Sequence, residues 1–245
     1  MKVVYEPKGR AREYSELACN LYMGCTHGCR YCYAPACMRT TNEKWHKTVT
    51  PRQKVIEYFE KDAVKLCGDK RRILFSFLSD PYQPLEREER LTRQALEIVY
   101  KYGLKSQILT KGCAELIDED LALMKKADTH LGVTLSFSDD QSRQEWEPNA
   151  SSVSDRLAVL KRAHQAGIFT WISLEPVIDP EQALAVIKTA HKYVCFWKVG
   201  KLNHMREYEC KVNWAKFLLD AEGLFKKYNS QYYIKNDLRS FAIKH

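Results

Sequence analysis

Three cysteines fall within the stretch GCTHGCRYCYAP, as Cys25, Cys29 and Cys32, in a C-x3-C-x2-C spacing. Thiolates at this density bind zinc or iron–sulfur clusters. A structural zinc takes four ligands, usually two closely spaced pairs or cysteines completed by histidine. No second pair is present: Cys37 and Cys19 flank the motif at unmatched distances, and Cys67, Cys113, Cys195 and Cys210 are isolated. His27, inside the loop, could complete a Cys3His site, which would make the chain a zinc-binding module for nucleic acid or protein, without catalysis. The other reading is a four-iron cluster on three cysteines with one iron left open. An open coordination position is what lets a metal site bind and activate a substrate rather than staple a fold.

The run Cys25-x3-Cys29-x-Tyr31-Cys32, with an aromatic residue just before the last cysteine, resembles the radical S-adenosylmethionine (radical SAM) signature. More widely, YMGCTHGCRYCYAP followed by FLSDPYQPLE resembles the spore photoproduct lyase-like, or DNA repair photolyase-like, group, over roughly Tyr22 to Lys198. The resemblance implies a [4Fe–4S] cluster on Cys25, Cys29 and Cys32, with S-adenosylmethionine chelated by the open iron. Reductive cleavage of the sulfonium would then give a 5′-deoxyadenosyl radical that takes hydrogen from a substrate, the cofactor carrying the hard chemistry and the protein orienting it. An electron donor such as flavodoxin or ferredoxin is implied as well. The most specific expectation is lyase-like repair chemistry on nucleic acid; modification of a peptide, tRNA or another substrate is the alternative.

The elements that must hold these residues alternate apolar runs with amphipathic segments. Strand-like runs cover Arg71–Phe77, Leu104–Thr110, His130–Phe137, Ile168–Pro176 and Tyr193–Gly200, with a shorter candidate, ACNLYM, just before the cysteine loop. Between them lie helical patterns. Leu91, Ala95, Ile98, Val99 and Tyr102 recur at helical spacing and stop at Gly103; SDRLAVLKRAHQAG opens on Ser154 as N-cap and closes on Gly167; Asp179 and Pro180 start another helix. VNWAKFLLDAEGLFKKY supplies a last long helix despite Gly223. Six strands alternating with helices predict parallel βα units, in an α/β partial (β/α)6 barrel of TIM type or an open doubly wound sheet. One domain spans residues 1–245: an N-terminal segment and first strand to about residue 24, the cluster loop at 25–32, and a C-terminal helix and tail from about residue 205.

Functional residues are expected at the C-terminal strand ends in either architecture. Ser76, Ser79 and Asp80 follow the second strand, where radical SAM enzymes hold the cofactor's amine; Ser-Asp-Pro is also a common turn opener. Lys111, in the LTKG that ends the next strand, suits the cofactor carboxylate as a point charge. By the same resemblance Ser136 faces the ribose or carboxylate. Glu175 is a cofactor contact or a buried ion-pair partner, for which Lys198 is one possibility. Tyr31 belongs to the motif, and Tyr33 packs near it. Spore photoproduct lyase is understood to return hydrogen from a cysteine near its second strand. This chain has none between Ile73 and Asp80, and Cys113 is the nearest substitute.

Composition sets the outer bounds. Nine cysteines, an odd number, without an apolar signal-peptide core in MKVVYEPKGRAREY favour metal or redox chemistry in a reducing, cytoplasmic setting over a disulfide framework. No long apolar run predicts a membrane span. The net charge of +8 suits a polyanionic partner. Lys226, Lys227, Tyr228, Tyr232, Tyr233, Lys235 and Arg239 form either a nucleic-acid rim or an ordinary solvated surface.

Overall fold

Six apolar runs, each followed by an amphipathic helix, fold back on one another as parallel crossovers. In this computed structural model, which describes residues 2–242, they build one seven-stranded sheet. Its strands are β1 (Leu17–Cys19), β2 (Arg72–Phe75), β3 (Lys105–Thr110), β4 (Thr129–Thr134), β5 (Thr170–Val177), β6 (Phe196–Lys201) and β7 (Gln231–Ile234). Every neighbouring pair is parallel, and the order in the sheet is the order in the chain. One long helix sits in each crossover: α1 (Val55–Lys65), α2 (Leu91–Lys101), α3 (Ala114–Lys126), α4 (Val153–Gln165), α5 (Pro180–Ala190) and α6 (Trp214–Lys227). The result is a partial barrel of six βα units with a seventh strand added at one edge.

Two expectations change. The run before the cysteine loop splits: only Leu17–Cys19 joins the sheet, while Tyr22–Met23 pairs antiparallel with Thr50–Pro51. Strand β7 is the second difference. Its four residues bury only Ile234 fully, so it carries no apolar run, and pairing with β6 forms it. One cap also moves: Ser152, not Ser154, accepts the Asp155 N–H and starts α4. Asp179 caps α5 as expected, and Gly103 and Gly167 end their helices at positive φ.

Strand alternation divides the side chains between two faces. Outward residues such as Phe75, Ile108, Leu131, Ile172, Trp197 and Val199 pack under the helices as the main core. Inward residues Ala18, Leu74, Leu109, Trp171 and Phe196 line the concave side. Gly132 leaves room there for the Trp171 indole, since a Cβ at this position would lie 2.1 Å from Trp171 Cε2. The 3-10 turn Gly9–Glu13 and Tyr14 lie against this concave face. Gln107 and Lys198 donate to the Tyr14 carbonyl at 3.1 and 2.6 Å. Because all seven strands point one way, their C-terminal ends form a single rim. Among the described residues no helix is long and apolar enough to cross a membrane.

Candidate functional site

The cysteine loop leaves β1 and sits at this rim. Gly24 begins it at φ +83, where a Cβ would meet the Thr48 carbonyl oxygen at 2.2 Å; only glycine allows that approach. His46 Nδ1 lies 2.8 Å from the Cys25 carbonyl, and the Cys25 N–H donates to Trp45 O. The loop tightens where the Cys32 N–H donates to Cys29 O at 3.0 Å. Cys25 is buried, and Cys29 and Cys32 are partly so. Burial, with Asp80 adding to it, pushes the Cys25 thiol up to about 12, and burial raises Cys29 and Cys32 too. In the metal-free protein all three are neutral thiols, so metal binding must release their protons.

Three neighbouring segments meet the loop. After β2, Phe77 adopts φ 105, a genuine outlier for an aromatic residue, and its carbonyl accepts from Tyr33. Asn20 fixes the same turn by accepting the Leu78 N–H at 2.8 Å. Asp80 then gathers three donors: the Tyr82 N–H at 2.8 Å, the Thr110 hydroxyl at 2.6 Å and the Lys111 N–H at 2.7 Å. Gln83, fully buried, accepts from the Thr26 N–H and donates to Ser79 Oγ, tying this turn to the cysteine loop.

After β3, Lys111 brings its ammonium 5.7 Å from the Tyr31 ring centroid. Burial alone would lower its pKa, but its neighbours outweigh it, Cys29 once it is a thiolate and the Glu147 and Asp80 carboxylates, so the charged form is favoured. Beyond β4, Ser136 is buried with no hydrogen-bond partner for its hydroxyl. Thr26 Oγ1, in the cysteine loop, is equally without one. Buried hydroxyls of this kind are uncommon in folded proteins, and each calls for a partner such as water, an ion or a bound molecule.

Glu175 pairs with Lys235, not Lys198, at 2.8 Å, and also accepts from the Tyr14 hydroxyl. Lys198 instead donates to the Glu13 and Tyr14 carbonyls. Ser76, Ser136 and Glu175 share the inward parity of their strands. The cysteine loop, Tyr31, Ser79, Asp80 and Lys111 adjoin them, so the structure gathers these residues at one rim. Asp80 serves there as a hub for two backbone N–H groups and the Thr110 hydroxyl, a role the sequence did not reveal. Cys113 is different. Its N–H donates to Tyr82 O as it starts α3, and its side chain packs against the core beneath the helices.

The basic and aromatic residues of the C-terminal part are dispersed. Lys226 and Lys227 end α6, which runs back to the opposite end of the barrel. Tyr228 stacks on His191, Tyr232 stacks on Phe225, Tyr233 donates to Glu13, and Lys235 is buried.

Sequence reasoning also passed over Glu147, Asn149 and Arg156. Glu147 and Arg156 are an ion pair at 2.7 Å with both side chains buried, and Tyr31 donates to Glu147. Two opposite charges nine residues apart carry no periodic signal. Only their burial distinguishes them.

The donor set fits an iron–sulfur cluster better than a single zinc. His27, which a Cys3His site would need, faces Asp80, with Nδ1 3.6 Å from Oδ2. Among the described residues no three His, Cys, Asp or Glu side chains converge on one ion's position. Three cysteines without a fourth ligand suit a cluster that keeps one iron open, and the partnerless hydroxyls of Ser136 and Thr26 leave polar atoms free for an organic cofactor.

A thiol-rich loop at the C-terminal rim of an open parallel barrel is a candidate metal centre on a βα-barrel scaffold. The chain belongs to the Radical SAM superfamily, whose family model matches residues 19–194. Membership implies S-adenosylmethionine and an iron–sulfur cluster. An uncharacterized protein of Methanocaldococcus jannaschii is 31% identical over 161 residues, 65% of this chain and 59% of that protein. An uncharacterized protein of Mycobacterium tuberculosis is 25% identical over 171 residues, 65% of this chain and 48% of that one. The chain thus spans roughly half to three-fifths of these relatives' lengths. Among solved structures, spore photoproduct lyase with bound AdoMet and dinucleoside spore photoproduct superposes with a TM-score of 0.67 at 14% identity, over 95% of this chain and 78% of that one. SuiB of Streptococcus suis bound to S-adenosylmethionine gives 0.65 at 14% identity, over 91% and 51%. At these identities the likeness establishes the fold.

Proposed function

We propose that the protein is a radical SAM enzyme that holds a [4Fe–4S] cluster through Cys25, Cys29 and Cys32 and binds S-adenosylmethionine beside it. The observation that carries this is the meeting, at one barrel rim, of the three thiols, the charged Lys111 and the partnerless Ser136 hydroxyl. When bound, cluster and cofactor supply one-electron reductive cleavage and a 5′-deoxyadenosyl radical. The chain's own residues orient and enclose. Lys111 offers a charge to the cofactor carboxylate, Ser136 an unspent hydroxyl, and Ser76 and Ser79 polar groups to the amine. Tyr14, Glu175 and Lys235 line the concave side and limit water.

The substrate is proposed to be a nucleic acid, in chemistry like that of spore photoproduct lyase, with electrons from a flavodoxin- or ferredoxin-type donor. The fold supports this, as does the net charge of +8. So does the run from Arg39 to Lys54, packed on the cysteine loop, where Arg39, Lys44, Lys47 and Lys54 are exposed and Glu43 is the one acid. Anaerobic protein given dithionite and S-adenosylmethionine tests the enzyme class: 5′-deoxyadenosine should form, and Cys29→Ala should form none. Ultraviolet-irradiated DNA, undamaged DNA and tRNA added in parallel test the substrate. Stimulation by none of the three would exclude a nucleic acid.

A further inference from the structure

The cysteine loop is covered by a second segment, Trp146–Asn149, which follows a short helix (Asp140–Trp146) beyond β4. The contacts run along both chains. The Arg30 N–H donates to Trp146 O at 2.9 Å, the Asn149 N–H donates to His27 O at 3.2 Å, and Asn149 Nδ2 donates to Thr26 O at 2.9 Å. The Arg30 guanidinium lies 4.6 Å from the Trp146 ring centroid. At the centre, Tyr31 donates to Glu147 Oε1, and Arg156 Nη2 lies 2.7 Å from Glu147 Oε2.

Glu147 and Arg156 are 0% and 2% exposed, so neither charge is solvated by water. Arg156 is fixed in turn by bonds to the Thr134 carbonyl at the end of β4 and to Ser151 O, both at 2.9 Å. A buried ion pair is poor evidence of net stabilisation, and one role it can serve is to fix a single geometry. Here the geometry it fixes is that of Tyr31, between two of the three cysteines. The barrel reaches the loop through this chain of contacts: β4 carbonyl, Arg156, Glu147, Tyr31. The same carboxylate also favours the charged state of Lys111.

We propose that Trp146–Asn149, with the buried Glu147–Arg156 pair, is a template that holds the cysteine loop in its metal-accepting shape before metal arrives. Glu147 and Arg156 are positioning residues for the cluster and for S-adenosylmethionine. The part concerning bound cofactor rests on the function proposed above; the part concerning loop shape does not.

Two measurements separate these. In metal-free protein, amide hydrogen exchange at Arg30 and Asn149 should be slow, and in Glu147→Gln it should accelerate at least tenfold while sheet amides keep their protection. Fast exchange at both positions in the unsubstituted protein overturns the template, whatever metal it binds. In reconstituted protein, Glu147→Gln should change the electron paramagnetic resonance g-values of the reduced cluster and weaken S-adenosylmethionine binding about tenfold in a spectral titration. Normal g-values and affinity in a folded Glu147→Gln protein overturn the positioning role and leave the enzyme class standing. Should Glu147→Gln not fold, Tyr31→Phe removes only the hydroxyl that reaches the pair. It should show the same two changes at smaller size, and absence of both contradicts the proposal. Failure of unsubstituted protein to assemble a cluster, with slow exchange at Arg30 and Asn149, would refute the proposed function but not the template.

Discussion

The Lys111 main-chain N–H donates to Asp80 Oδ2 at 2.7 Å, joining the turn after β2 to the end of β3. Thr110 and Tyr82 complete the shell around the same carboxylate. Asp80 therefore sets where Lys111 stands. Removing a buried acceptor strands its donors, at about 1–3 kcal/mol for each left unpaired. We expect Asp80→Ala to cost roughly 3 kcal/mol or more, read from urea unfolding of the metal-free protein. S-adenosylmethionine binding should weaken with it. An unchanged urea midpoint with weakened binding would mean that Asp80 touches the cofactor directly instead.

Ser136 presents the opposite case. Its hydroxyl is buried and unpaired, so it contributes nothing to the free protein's stability. Ser136→Ala should leave the metal-free unfolding curve unchanged or shift it up slightly. Cofactor affinity should fall by about tenfold, the worth of one hydrogen bond in a dry site. Equal affinities for the two proteins would remove Ser136 from the site.

Gly132 tests the concave face. A Cβ there would lie 2.1 Å from Trp171 Cε2, well inside contact distance. Overpacking of this kind costs about 1–3 kcal/mol, and we expect Gly132→Ala to lie at the upper end because the indole is itself buried. Thermal unfolding followed by tryptophan fluorescence would register both the loss and the moved indole.

His130 carries a pH dependence. Burial, aided by Arg72, holds its imidazole down to about 4, and it stacks on Phe169 with ring centroids 4.1 Å apart. Unfolded, the group titrates near ~6.5. Between those values the unfolded chain binds a proton that the folded chain does not, so stability rises with pH across that window. The stability of the unsubstituted protein minus that of His130→Asn should therefore climb from about pH 4 to about pH 6.5 and be flat above. A flat difference throughout would show that the folded imidazole is not held neutral.

The six βα units were legible because apolar runs and helical periodicity are local signals, and Gly103, Gly167 and the Asp179–Pro180 pair punctuate them locally too. Strand β7 was not, since Gln231–Ile234 becomes a strand only by pairing with β6. Of the site, Cys25, Cys29 and Cys32 announce themselves by spacing. Strand-end position places Ser76, Lys111, Ser136 and Glu175 at the rim, because inward parity follows from alternation. What could not be read were partnerships across the fold. Asp80 draws two of its three donors from the end of β3, Glu175 meets Lys235 from just past β7, and Glu147 and Arg156 gain meaning only by burial against Tyr31. The lysines and tyrosines near residue 230 read from composition as either a binding rim or a solvated surface, and the parallel topology carries Lys226 and Lys227 to the other end of the barrel.

Whether one iron stays free of protein ligands is settled by electron–nuclear double resonance on reduced, reconstituted protein given S-adenosylmethionine labelled with nitrogen-15 at its amine and oxygen-17 at its carboxylate. Coupling of both labels to the cluster, on a chain carrying about four irons and four sulfides, is the expected result. A fully protein-ligated cluster with no coupling to either label, or a single zinc without sulfide, would contradict it.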